Sequence, residues 1–218
     1  MLQGGIRKAQ PRVGTKLKLT AMPKRYYQGM DLFENANSSA EVRHKNNARG
    51  INIDDDTENV NGGICSGITT TWLIMFLNNN PGAFEKEFEN HFEITRFQGA
   101  YLKELHGKAP DHIAKMNESL DTRLHEIGKQ SERSASKFQI PLHPKWAAYV
   151  SVWGHAIGIG QLNKQYYIMD PNFGLYIYNS RTTFLRDLQT MIDSRARKKG
   201  RSDQDKATAI FYDRSTGL

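Results

Sequence analysis

Apolar side chains recur along this chain with two different periods. From Cys65 to Asn78, Ile68, Thr69, Trp72, Met75 and Phe76 share the face of Cys65 at helical spacing, which predicts a helix buried along its length. The run Asn78-Asn79-Asn80-Pro81-Gly82 ends it. Phe84, Phe88 and Phe92, then Phe97, Leu102 and Leu105, predict a second helix over Phe84–His106, with Gly99 as a point of interruption. Gly107 and Pro110 break the chain. Asp111 suits the N-cap of a third helix, His112 to about Ile127, in which Ile113, Met116, Leu120, Leu124 and Ile127 stay in register. Lys129–Lys137 is polar and serine-rich and reads as a linker.

The character then changes. WAAYVSVW (Trp146–Trp153), AIGIGQL (Ala156–Leu162), QYYIM (Gln165–Met169) and LYIY (Leu175–Tyr178) are short runs rich in β-branched and aromatic residues. Gly154, Asn163-Lys164 and Pro171-Asn172 separate them, so four successive strands in an antiparallel meander are expected. Thr182–Arg197 returns to helical spacing through Phe184, Leu185, Leu188, Met191 and Ile192, and Ala207–Tyr212 reads as a closing strand. Helices first and a sheet afterwards make an α+β pattern. Residues 1–47 hold no lasting period and read as a weakly ordered segment ahead of a domain over 48–218.

The chain has 218 residues with 38% hydrophobic content, enough for one domain with a real core. No apolar run approaches the roughly 20 residues that cross a bilayer. A net charge of +7, from 30 basic against 23 acidic side chains, favours anionic partners: an acidic protein surface or acidic lipid. Nucleic acid is not expected, since no recognised binding motif accompanies the charge. Arg195–Arg201 concentrates that charge at the end of the last predicted helix.

One cysteine excludes an internal disulfide and any thiolate-rich metal site, and suits a reducing compartment. No cofactor or metal is implied. Asp54, Asp56 and Glu58 alternate as in a calcium loop, but Asn59 and Cys65 stand where such a loop needs glycine and glutamate. The histidines 91, 106, 112 and 125 show no His-x3-His pair and read as solvated or capping side chains.

The candidate chemistry lies elsewhere. Cys65 opens a helix after a Gly-rich turn, GGICSGITTTWL, and a helix N-terminus stabilises thiolate. Gly62, Gly63 and Gly67 would let backbone and substrate approach closely. His155 stands at a strand start in GHAIGIG, and Asp170 ends the run YYIMD. Their 15-residue separation suits adjacent antiparallel strands turning at Asn163-Lys164, so the carboxylate could bind the imidazole and fix its tautomer. The amide of Cys65 and the side chain of Asn59 or Asn61 are candidate oxyanion donors. Each residue alone has an ordinary explanation: a buried small hydrophobe, a strand histidine, a turn aspartate. Nucleophile, base and orienter occurring together in these contexts point to thiol catalysis.

These blocks, GICSGITTTWL, GHAIGI and MDPNFG, resemble the YopT-like papain-fold cysteine proteases of bacterial type III effectors and toxins. The resemblance implies a papain-like fold, a helical half packed on an antiparallel sheet with the cleft between them. It implies Cys65 as nucleophile, His155 as general base and Asp170 as orienter. It further implies an endopeptidase delivered into a host cell to cut a host protein, a Rho-type GTPase or a kinase. A monomer is expected, and the basic residues of Arg195–Arg201 could favour an acidic membrane or a substrate. Some members cleave their own N-terminal segment. Dual acylation after such cleavage is not expected here, as no second cysteine exists to take palmitate. The same site chemistry also serves a glutamine deamidase or transglutaminase-like acyltransferase, and a non-catalytic basic binding module is the third reading.

Overall fold

The computed structural model describes residues 65–81, 91–107, 111–171, 173–202 and 205–214. Its helices are α1 (Cys65–Leu77), α2 (His91–His106), α3 (His112–Ser119) and α4 (Arg181–Lys198). Its strands are β1 (Leu124–Glu132), β2 (Trp146–Ser151), β3 (Ala156–Leu162), β4 (Gln165–Asp170), β5 (Gly174–Tyr178) and β6 (Ala207–Arg214), with a 3-10 turn at Ala135–Lys137. The boundary expected at residue 47 and the acidic stretch after Ile51 lie outside the described residues, as does the first part of the second predicted helix.

The four runs form the expected meander, β2 to β5, each antiparallel to the next. Asn163 (φ 52°) and Lys164 (φ 64°) make the tight β3–β4 turn, and two successive left-handed residues match the twist of a two-residue hairpin. The closing strand β6 does not extend the meander at its open end. It returns to pair with β2, and β1 pairs with β6, giving one six-stranded antiparallel sheet in the order β1-β6-β2-β3-β4-β5.

Here the third helix predicted to Ile127 is corrected. α3 stops at Ser119, the chain turns through Asp121 (φ 47°) and Arg123 (φ 55°), and Leu124 starts β1. The predicted linker is mostly strand and 3-10 turn. Leu124 and Ile127 stand at helical spacing from Leu120, yet Leu120 is the C-cap of α3, and β1 carries an irregularity between Glu126 and Gly128. That irregularity puts Ile127 out of alternation, and it stands 37% exposed. Gly99, expected as an interruption, lies within an unbroken α2.

Both faces of the sheet are covered, which explains why its central runs are apolar throughout rather than alternating. Ala147, Tyr149, Tyr167, Met169, Ile210 and Tyr212 pack with Ile68, Trp72 and Phe76 of α1. Ala148, Val150, Ile157, Ile159, Ile168 and Phe211 pack with Phe184, Leu188 and Ile192 of α4. The expectation of one helical half on a sheet is thus extended by a second layer, α4, on the opposite face. Ser180 caps α4 through Thr183 N, and Asp111 caps α3 through Ala114 N.

Candidate functional site

α1 is brought onto β3 by glycine. A Cβ at Gly158 would stand 2.6 Å from the Trp72 ring, and one at Gly160 would stand 2.7 Å from the Phe76 ring. Bare backbone at these two positions lets the rings lie flat against the strand. Trp72 and Phe76 also contact one another, with centroids 4.7 Å apart. Gly67 has a related role: a Cβ there would run into Ile94 O of α2. Gly67, expected to let substrate approach, serves helix–helix contact instead. Gly67 N also donates to Gln98 Oε1 of α2 at 2.9 Å, which satisfies one of the free amides of the first turn. The start of α1 is therefore held from two sides, and Cys65 with it.

His155 follows a sharp turn at the end of β2. Trp153 (φ 48°) and Gly154 (φ 75°) both adopt left-handed backbone, and Val152 N donates to His155 O at 2.9 Å. Asp170 is the last residue of β4, where Phe173 N closes the next turn onto its carbonyl at 3.0 Å. By strand alternation its side chain shares the α4 face with Ile168. His155 and Asp170 are 7% and 2% exposed, and His155 Nε2 lies 3.0 Å from Asp170 Oδ1. That contact leaves Nδ1 for the other side of the ring, where the half-buried Cys65 thiol meets it in a hydrogen bond. The Ala156 amide donates to the same sulfur.

Burial pushes the Cys65 thiol up. The His155 hydrogen bond, the His155 charge and the Ala156 amide outweigh burial, and the thiol is held below the ordinary cysteine range. Burial alone would depress His155. The charge and hydrogen bond of Asp170, with smaller help from Cys65, instead push it up to about 10. Both directions favour proton transfer from sulfur to ring.

The structure thus brings together Cys65, His155 and Asp170, far apart in sequence. Asn59 and Asn61, the candidate oxyanion donors, lie outside the described residues, and the Cys65 amide stands at the head of α1. Three further residues adjoin the site without any motif to announce them. Tyr149 donates from its hydroxyl to Ser66 Oγ at 2.9 Å, next in the chain to Cys65. Tyr101 is near enough to Cys65 for thiolate charge, after burial, to raise its hydroxyl. Arg195 of α4 donates from Nη2 to Trp153 O (3.3 Å) and Gly154 O (3.0 Å), clasping the turn that carries His155. Burial lowers the Arg195 guanidinium, against the charges of Cys65 and Asp170. Along the sequence Arg195 is only the start of the basic cluster Arg195–Arg201. Among the described residues no group of three or more His, Cys, Asp or Glu could hold a metal ion, and no helix is long and apolar enough to cross a membrane.

No known protein family and no curated protein matches the sequence. Solved structures do match the fold. The Pseudomonas avirulence protein AvrPphB aligns with a TM-score of 0.51 at 14% identity, covering 75% of this chain and 98% of that one. PatoxP, a cysteine protease-like domain of the Photorhabdus asymbiotica toxin PaTox, aligns with a TM-score of 0.46 at 14% identity, covering 86% of this chain and 61% of that one. The α+β, papain-like fold implied by the resemblance to YopT-like proteases is the fold of this chain.

Proposed function

We propose that this protein is a cysteine endopeptidase of the effector or toxin kind, with Cys65 as nucleophile, His155 as acid and base, and Asp170 as orienter. One observation carries the reading: a buried imidazole held by a carboxylate on Nε2 while its other nitrogen meets a thiol at a helix head. A structural cysteine needs no charged histidine beside it, and a binding module needs no buried His–Asp pair.

In the proposed reaction the Cys65 thiolate attacks a peptide carbonyl carbon. The C=O electrons move to oxygen, and the Cys65 amide donates to that oxyanion together with Asn59 or Asn61. As the tetrahedral centre collapses, the His155 imidazolium gives its proton to the leaving amine and the C–N bond breaks, leaving a thioester. His155, now neutral, takes a proton from water, and the resulting hydroxide attacks the thioester. The C–S bond breaks, and the acid product leaves a thiolate beside an imidazolium. Asp170 keeps the ring in one tautomer throughout.

In this reading the partner is a host protein met after delivery from a bacterium, and the enzyme acts as a monomer. The Rho-type GTPase or kinase target and the acidic membrane belong to the same proposal. Host proteins from cells expressing the wild type and the Cys65→Ala variant test it by mass spectrometry. New peptide termini present only with the wild type are expected. Identical termini in both samples would reject the endopeptidase. A gain of about one mass unit at glutamine without cleavage would move the same thioester chemistry to deamidation.

A further inference from the structure

Two tyrosines stand near Cys65, and their hydroxyls are engaged differently. Tyr149 comes from β2, is 3% exposed, and commits its hydroxyl to Ser66 Oγ at 2.9 Å. Tyr101 comes from α2 and is half-buried. Its place follows from the contact between α1 and α2. Gly67 N, two residues past Cys65, donates to Gln98 Oε1 at 2.9 Å, so the Gln98 face of α2 lies on the first turn of α1. Tyr101 follows Gln98 by three residues and shares that face. Tyr101 and Cys65 accordingly border the same core cluster, both at its half-buried margin. The Tyr101 ring stands edge-on to His112 of α3, with centroids 5.3 Å apart and planes at 72°. Among the described residues no hydrogen bond engages its hydroxyl. Burial, and then the charge of Cys65, raise that hydroxyl above the ordinary tyrosine range, so it keeps its proton at neutral pH and can donate.

The sulfur already has two hydrogen-bond partners, the His155 ring and the Ala156 amide, and Tyr101 is not one of them. A hydroxyl close to a nucleophile but not bonded to it is placed for the next atom out, the oxygen of a carbonyl under attack at that sulfur. We propose that the Tyr101 hydroxyl donates to the oxyanion formed when Cys65 attacks a carbonyl, beside the Cys65 amide. The inference rests on the protease reading for the attack itself. Tyr101 makes and breaks no covalent bond. Its hydrogen bond strengthens as charge collects on the carbonyl oxygen, so it acts on the transition state rather than on the resting thiol. It reaches the oxygen from α2, whereas His155 comes from the sheet, so the oxyanion donor and the acid for the leaving group belong to different layers.

Two probes of the full-chain protein separate an oxyanion donor from a residue that tunes the thiol. Cys65 is the only cysteine, and Cys65→Ala supplies the background for both. With p-nitrophenyl acetate the thiolate attacks the ester carbonyl carbon and the C=O electrons move to oxygen. Collapse then expels p-nitrophenolate and leaves an acetyl thioester. With iodoacetamide the thiolate displaces iodide at a saturated carbon, and no oxyanion forms. Tyr101→Phe should slow acylation about tenfold to a hundredfold and leave alkylation at mildly acidic pH unchanged. A packing defect slows both probes, so the ratio of the two rates is the readout. His112→Ala removes the ring beside Tyr101 but not the hydroxyl, and should leave that ratio as in the wild type. Acylation as fast in Tyr101→Phe as in the wild type overturns the inference. So does equal slowing with both probes, since Tyr101 then acts on the thiol or its packing, and so does a ratio that falls alike in the two variants. A wild-type thiol no faster than free cysteine with either probe sinks the protease reading and this inference with it. A reactive wild-type thiol with an unchanged ratio in Tyr101→Phe sinks the inference alone.

Discussion

The two faces of the sheet are both dry, yet they meet their helices by different means. On the α1 face, aromatic rings lie on glycine backbone at Gly158 and Gly160, with no side chain between. On the α4 face, side chains interdigitate: Ile157, Ile159 and Ile168 with Phe184, Leu188 and Ile192, and Tyr166 stacks on Phe184 at 5.2 Å. The first contact sets a distance and admits little error; the second fills volume and can repack. The thiol rides on the first. The carboxylate and the guanidinium that governs the His155 turn belong to the second. His155 stands at the sheet end, where it takes Asp170 from one layer and Cys65 from the other. The site is therefore a joint between layers.

Breaking that joint electrostatically should have the largest effect. Asp170→Asn keeps the shape but removes the charge that raises His155. The thiol should then titrate higher, and turnover of the true substrate should fall about a hundredfold or more. Wild-type turnover retained in this variant would mean that Asp170 only shapes the turn. Next comes the spacing. Gly158→Ala drives a methyl into the Trp72 ring and should cost about 1–3 kcal/mol in chemical denaturation, with Cys65 labelling slowed as α1 lifts. On the other face Leu188→Met, which conserves volume, should cost less than about 1.5 kcal/mol and leave labelling unchanged. Equal losses from the two variants would erase the distinction between the faces.

The third test is pH. His155, raised to about 10, contributes stability that is present below its ordinary value and is lost as pH rises through about 10. Cys65, lowered, contributes stability that is present above its ordinary range and is lost as pH falls through its folded value. The ion pair is thus populated between these limits. Iodoacetamide should label Cys65 at mildly acidic pH, where an ordinary thiol is slow, and Asp170→Asn should shift that profile upward. A profile centred where free cysteine titrates would remove the ion pair from the account. The smallest effect expected is at Arg195. Its two hydrogen bonds hold Trp153 in left-handed backbone, a conformation costing about 1–2 kcal/mol for a side-chain-bearing residue. Arg195→Gln should lower kcat about threefold to tenfold with KM little changed, and should alter the pH profile of labelling. An unchanged profile would make Arg195 merely structural.

Much of this was legible along the chain. Periodicity marked α1, α4 and the four meander strands to within a residue or two, because each is long or strongly apolar and ended by asparagine, glycine or a capping serine. Cys65, His155 and Asp170 could be singled out because each sits at an element's end, where the flanking residues announce both the element and its terminus. β1 was not legible. It is an edge strand, polar on its outer side, and its alternation is broken near Ile127, so only pairing with β6 makes it a strand. Arg195 was hidden for a similar reason: a basic residue near a helix C-terminus is ordinary until the turn that it clasps arrives from another layer.

Sequence alone determined the kinds of element, the local chemistry of the three site residues, and a charge suited to anionic partners. Tertiary structure alone decided that β6 returns beside β2, that α4 seals the second face, and that Arg195 clasps the His155 turn from behind. Local patterns report interactions between near neighbours, repeated every two or four residues. A meeting of residues scores of positions apart depends on how whole layers stack, and no short window of sequence contains that.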